Sequence, residues 1–139
     1  MLNPRKILIA DADIASRKML SIFLSTEDLH ICEADADHPL LTTIEQEKPA
    51  LMLWDPGRSI EAGLDLLSRL RAHSHFPVIV ISTQTDDIDV VRFFEAGADD
   101  YILKPFHVSI LRARISACLR HVDCVPHPVS PNAVGSESI

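Results

Sequence analysis

Five short apolar runs, each followed by a helix-length amphipathic stretch, set the narrowest limit on how this chain can fold. They are KILIAD (6–11), HICEA (30–34), ALMLWD (50–55), PVIVIS (77–82) and DYILK (100–104). At 7–10 and 78–81 the apolar residues are consecutive, not alternate. Successive strand side chains point to opposite faces, so such runs need cover on both sides, as in a parallel sheet flanked by helices.

The stretches between them carry apolar residues at helical spacing. Residues 14–25 place Leu20, Phe23 and Leu24 on one stripe, with Asp13 as N-cap. Residues 39–47 carry Leu40, Leu41 and Ile44 and start with Pro39, a favoured first-turn residue. Residues 63–72 carry Leu64, Leu67 and Leu70; residues 86–96 carry Val90, Val91 and Phe94 and close on Gly97. Residues 108–121 carry Val108, Leu111, Ile115 and Leu119. Five strand–helix repeats of this length predict a doubly wound α/β domain, whose ligands sit at the carboxyl ends of the strands.

The repeats use residues 1–122, and the text then changes to DCVPHPVSPNAVGSESI, with three prolines, one glycine and no apolar period. Residues 123–139 therefore read as a disordered tail or the start of a linker. The 139 residues suffice for one domain with a proper core. A net charge of −7 argues against a general nucleic-acid surface, which needs clustered Lys and Arg. No run is long enough for a membrane span and the start shows no signal-peptide h-region, so a cytoplasmic location is expected. Cys32, Cys118 and Cys124 lack metal-ligand spacing and read as reduced thiols.

The strand ends carry the chemistry. Strand 1 ends with Asp11, strand 3 with Asp55, strand 4 with Ser82 and Thr83, and strand 5 with Lys104 and Pro105. One polar strand end can be a helix cap, but carboxylates, a hydroxyl and an ammonium above one sheet are more than caps require. With FEAGADDYILKPF (94–106), KPALMLWD leading into Asp55, Gly63 eight residues later and PVIVIST, the chain resembles a response-regulator receiver domain over about residues 5–121.

The resemblance implies a flavodoxin-like (βα)5 fold of strand order 2-1-3-4-5. It implies that Asp55 accepts a phosphoryl group from a histidine kinase or phosphotransfer protein. Ser82 and Thr83 would lie at the phosphoryl group, Lys104 would be its cationic partner, and Tyr101 would change rotamer with it. Pro105 is expected to follow a cis peptide. An aspartyl phosphate concentrates negative charge and calls for a hard cation, Mg²⁺. Asp11, Asp55 and the Gly57 carbonyl are its expected ligands. The family's second adjacent acid is replaced by Ala12, which predicts weak Mg²⁺ binding. Asp13 can either cap helix 1 or reach the metal. Pro56 removes an N–H beside the acceptor.

Receivers of winged-helix DNA-binding regulators dimerise through helix 4, strand 5 and helix 5, and the chain keeps Arg92, Glu95, Asp99, Asp100 and Arg114 at matching places. Val90 and Ile110 replace one usual ion pair, and His121 stands where another basic partner is usual. A homodimer through this face is expected, with no nucleic acid or membrane bound by the domain itself. The alternative is a pseudo-receiver, an interaction module with little or no phosphorylation. A remoter reading is a haloacid-dehalogenase-type phosphatase, suggested by ILIADAD and its D-x-D. That family's lysine precedes its later acidic pair, whereas Asp99–Asp100 here precede Lys104.

Overall fold

A computed structural model describes residues 4–26, 28–36 and 39–124. Most of the expected tail, residues 125–139, lies outside the described residues. In chain order the elements are β1 (Arg5–Ala10), α1 (Ile14–Leu24), β2 (Leu29–Ala34), α2 (Leu40–Glu47), β3 (Leu51–Trp54), α3 (Ile60–Arg71), β4 (Val78–Ser82), α4 (Asp87–Ala96), β5 (Asp100–Leu103) and α5 (Val108–Cys124). The strands form one parallel sheet of order β2-β1-β3-β4-β5, the order that the family resemblance implies. Chain direction across the sheet reverses between β1 and β3, which places the ligand-binding crevice above them.

The consecutive apolar residues are explained by two cores. Leu8, Ala10, Met52, Trp54, Val78 and Val80 face one side, where α2, α3 and α4 cover them. Ile7, Ile9, Leu51, Leu53, Ile79 and Ile81 face the other, beneath α1 and α5. A one-residue slip would exchange the two sets, so apolarity on both faces alone leaves register weakly specified. The ladder is fixed by pairings such as Ile7 with Ile31 and with Leu51. Among the described residues no helix is long and apolar enough to cross a membrane.

Two helical stripes differ from the expectation. On α4 the buried residue is Phe93, fully enclosed, while Val90 is half-buried and Val91 and Phe94 are exposed. Aromatic and apolar residues flank this position on both sides, so the sequence admits two phases about 100° apart. Phe93 is selected because it fits edge-on against Trp54 (centroids 6.1 Å, 79°) and tilts onto Tyr101 at 6.0 Å. On α1, Leu20 and Leu24 are buried but Phe23 is exposed. Helix α3 starts at Ile60, earlier than expected, because the Ser59 hydroxyl accepts from the Ala62 N–H (3.2 Å) and Glu61 lies in the positive first turn. Helix α5 continues past residue 121 to Cys124, with no proline before Pro126 to stop it.

Candidate functional site

Sheet hydrogen bonds run one residue beyond the ends of β1, β3 and β5. The Asp11 N–H donates to the Ala34 carbonyl (3.1 Å), the Asp55 N–H to Ala10 (2.9 Å) and the Lys104 N–H to Ser82 (2.8 Å). Three functional side chains are thus mounted on the ladder itself and not on free loops. Lys104 Nζ donates to Asp11 Oδ2 at 2.9 Å and to Asp55 Oδ2 at 2.7 Å. The other oxygens are held by backbone: the Asp13 N–H donates to Asp11 Oδ1 (2.9 Å) and the Gly57 N–H to Asp55 Oδ1 (2.8 Å). Gly57 has φ +83°, a conformation disfavoured for residues with a Cβ, and this turn aims its amide at the carboxylate.

One ammonium sits between two carboxylates. Burial alone would lower the Lys104 pKa, but the hydrogen bonds to Asp55 and Asp11 outweigh it and hold the ammonium above its ordinary value. Lys104 is therefore a fixed positive charge at neutral pH. Desolvating such a group costs about as much as the pairing returns, so the cluster is better explained by chemistry than by stability.

The β1–α1 loop presents only two of its three residues as acids, and one of them is taken. Asp13 caps α1: its Oδ1 accepts from the Ala15 N–H (3.3 Å) and its Oδ2 from the Ser16 hydroxyl (2.8 Å). The Ser16 hydrogen bond lowers its pKa. Arg17 locks the loop from below by donating to the Asp11 carbonyl at 2.6 Å, and its Nε lies 3.6 Å from Glu33. Among the described residues no three His, Cys, Asp or Glu side chains come together as a metal cluster. The donors that do converge, Asp11 and Asp55, fit Mg²⁺ as an ion held by one or two carboxylates with water and phosphate oxygens. A cavity of about 720 Å³ opens beside them, lined by Ala12, Trp54, Pro56, Arg58 and Leu66 among others.

Ser82 and Tyr101 meet at Gln84. The buried Ser82 hydroxyl accepts from the Gln84 N–H (3.0 Å), and the Tyr101 hydroxyl donates to the Gln84 carbonyl (3.0 Å). Burial pushes the Tyr101 phenol above its ordinary pKa. Thr83 is exposed beside this loop. The Lys104–Pro105 peptide is cis. Pro56 packs toward Gly63, where an added Cβ would lie 2.9 Å from the proline Cβ and 3.2 Å from Phe93. Gly63 thus lets the loop after Asp55, α3 and the α4 aromatic share one contact.

Four of the five charged residues expected on the helix 4–strand 5–helix 5 face are bonded within the chain. Arg92 pairs with Glu61 of α3 at 2.6 Å and with Asp89 at 3.3 Å. Arg114 donates to both carboxylate oxygens of Asp100, at 2.9 and 3.1 Å. Asp99 accepts from Arg71 (2.8 Å) and from the Val78 N–H (2.8 Å). Glu95 and Ile110 are exposed. Sequence reasoning missed Arg71, Glu61 and Arg17. Only the unusual Arg71, at the last turn of an amphipathic helix, left a trace, as a cation favoured at a helix C-terminus.

The family model for the response regulator receiver domain matches residues 7–116. The chain is 38% identical over 125 residues to the DNA-binding response regulator MtrA of Mycobacterium leprae, covering 88% of this chain and 54% of that protein. It is 36% identical over 110 residues to the transcriptional regulatory protein KdpE of Staphylococcus aureus, covering 79% of this chain and 48% of that protein. The chain thus spans about half the length of these relatives. A two-component response regulator from Clostridium difficile superposes with a TM-score of 0.78 at 27% identity, over 85% of this chain and 98% of that one. The BeF3-activated receiver domain of Klebsiella pneumoniae RstA gives 0.73 at 28%, over 83% and 98%.

Proposed function

The chain belongs to the response-regulator receiver domains of two-component signalling, and from that premise we propose that Asp55 is its phosphoacceptor. The observation that carries the reading is the single Lys104 ammonium held on both Asp11 and Asp55. An Asp55 carboxylate oxygen attacks the phosphorus of a phosphohistidine on the partner kinase or phosphotransfer protein. The new O–P bond forms as the P–N bond breaks, and the imidazole leaves with its electron pair. Lys104 moves a hydrogen bond from the Asp55 carboxylate to a phosphoryl oxygen, stabilising the charge that gathers there. Ser82 gives up its contact with the Gln84 N–H and donates to another phosphoryl oxygen, which frees the loop that Tyr101 also holds.

Asp11, Asp55 and the Gly57 carbonyl would hold Mg²⁺, which supplies charge neutralisation during transfer. Because Ala12 provides no carboxylate and Asp13 is spent as a cap, that ion is held weakly. The switched output is the α4–β5–α5 face, used for self-association or for control of an effector. One observation favours the pseudo-receiver reading: Ala12 offers no carboxylate and both oxygens of Asp13 are taken up in capping α1.

The test is intact-mass measurement after incubation with acetyl phosphate over a Mg²⁺ series. One phosphoryl group is expected on the chain at high Mg²⁺ and none on Asp55→Asn. No added mass at any concentration rejects the acceptor reading in favour of the pseudo-receiver, and phosphate found on Asp11 would favour the phosphatase.

A further inference from the structure

We infer that Arg58 is a second anion-binding group of the acceptor pocket, gripping the phosphoryl group from the solvent side and supplying part of the positive charge that the weakly held Mg²⁺ leaves short. This deepens the acceptor reading and rests on it for the reaction. The cavity of about 720 Å³ beside Asp55 is lined by three carboxylates, Asp11, Asp13 and Asp55, and by one cation among the described residues, Arg58. Lys104 lies outside that lining and faces a smaller hollow between α1 and Pro105. It holds Asp55 Oδ2, while the Gly57 N–H holds Oδ1, so both edges of the carboxylate are occupied. The cavity is the open approach for a phosphodonor, which brings more negative charge to a wall already acidic.

The chain on either side of Arg58 is pinned, and its side chain is not. Pro56 lies against Gly63, and the Ser59 hydroxyl caps α3 through the Ala62 N–H. The Arg58 side chain is exposed and among the described residues has no hydrogen-bond or ion-pair partner. Its nearest acid on α3, Glu61, is held by Arg92 at 2.6 Å. Within the cavity the Asp13 oxygens accept from Ala15 and Ser16, and the Asp11 oxygens from Lys104 and the Asp13 N–H. The carboxylates around Arg58 are thus already satisfied, and its N–H donors are left for an incoming anion. A guanidinium fork matches two oxygens of a phosphoryl group and keeps its charge throughout. As an Asp55 oxygen attacks, the O–P bond forms and the phosphodonor's bond to phosphorus breaks, its leaving group departing with the electron pair. Arg58 donates hydrogen bonds to the phosphoryl oxygens during that step and transfers no proton. With the pocket empty the same charge repels Mg²⁺. Arg58 therefore aids transfer and opposes the metal, two effects of opposite sign.

The test uses the full chain and compares Arg58→Gln and Arg58→Lys with Arg69→Gln, which removes the same charge near the other end of α3. Labelling by acetyl phosphate is followed by intact mass over a Mg²⁺ series. Mg²⁺ binding without phosphodonor is read from the fluorescence of Trp54, the chain's one tryptophan and part of the cavity wall. Arg58→Gln should slow labelling by about tenfold at the lowest Mg²⁺ and by less than about threefold at saturating Mg²⁺. It should also bind Mg²⁺ about twofold more tightly, which a merely structural role would not produce. Arg58→Lys should keep the wild-type Mg²⁺ affinity and recover part of the labelling rate, and Arg69→Gln should change neither. Equal labelling of wild type and Arg58→Gln at every Mg²⁺ concentration, or an equal loss at all of them, overturns the inference and leaves the acceptor reading standing. Mg²⁺ binding that is unchanged or weaker in Arg58→Gln, or the same changes in Arg69→Gln, does so too. No label on wild type or variants at any Mg²⁺ concentration sinks the acceptor reading and this inference with it.

Discussion

Two half-buried cations sit at opposite ends of the same sheet and are used in opposite ways. At the amino end, Arg71 spends its planar fork on the chain: Nε donates to the Gly97 carbonyl (2.9 Å), one terminal nitrogen to Phe76 (2.8 Å) and the other to Asp99 (2.8 Å). Its stem lies so close under Gly97 that a Cβ there would meet Arg71 Cγ at 2.7 Å, and Gly97 also needs φ +120°. At the carboxyl end, Lys104 offers a point charge to two side-chain carboxylates and to no carbonyl. Arginine builds a closed joint whose partners cannot leave without unfolding a turn. Lysine keeps an exchangeable contact that can follow charge when charge arrives. Burial type alone does not distinguish fold-holding from function; the nature of the partners does.

The contrast can be broken from either side. Lys104→Met should slow acetyl-phosphate labelling of the folded fraction by about 10²–10³-fold, the loss typical of one preorganised donor, and should also lower the unfolding midpoint because Asp11 and Asp55 lose their counter-ion. A large fall in midpoint with labelling preserved would reverse the assignment. Arg71→Ala should do the opposite, costing about 2–3 kcal/mol in urea unfolding through its unsatisfied carbonyls and Asp99, with labelling of the folded fraction intact. Ala12→Asp sharpens the picture at the site itself. A third carboxylate should cut the Mg²⁺ needed for half-maximal labelling by about tenfold, and no shift would mean that Ala12 is not the weak point. The smallest effect is on pH. Burial raises the Cys32 and Cys118 thiols, burial raises Tyr101, and carboxylate hydrogen bonds outweigh burial to raise Lys104. Each group holds its proton longer when folded, so the unfolded chain binds fewer protons in alkali. Stability is intact below the unfolded pKa values and should fall from about pH 9 upward, with the Lys104 part lost only above about pH 10. A thermal midpoint flat from neutrality to about pH 11 would contradict this.

The strands were legible because their signal, consecutive apolar residues ended by a polar one, depends on composition over several positions. The elements accordingly fall within one to three residues of their expected limits. The α4 phase was not legible, because Val90, Val91, Phe93 and Phe94 allow two faces and only the tertiary pocket of Trp54 and Tyr101 chooses Phe93. The convergence of Asp11, Asp55 and Lys104 could be expected from strand ends alone, since a parallel sheet brings those ends together. The cap role of Asp13 could be read as one of two options, and Ser16 settles its geometry. The Glu61–Arg92 tie and the Arg71 joint could not be read, since they link residues 31 and 28 positions apart with no periodic signature.

The span of the Lys104 contacts has a consequence for how the molecule comes into being. Lys104 lies 49 positions from Asp55 and 93 from Asp11, and it follows β5, the last strand in chain order. A chain made amino end first therefore contains both aspartates before it contains their counter-ion. A species with β5 undocked leaves Asp11 and Asp55 without Lys104 between them. Under the proposed acceptor reading, competence to take a phosphoryl group therefore waits on the docking of β5.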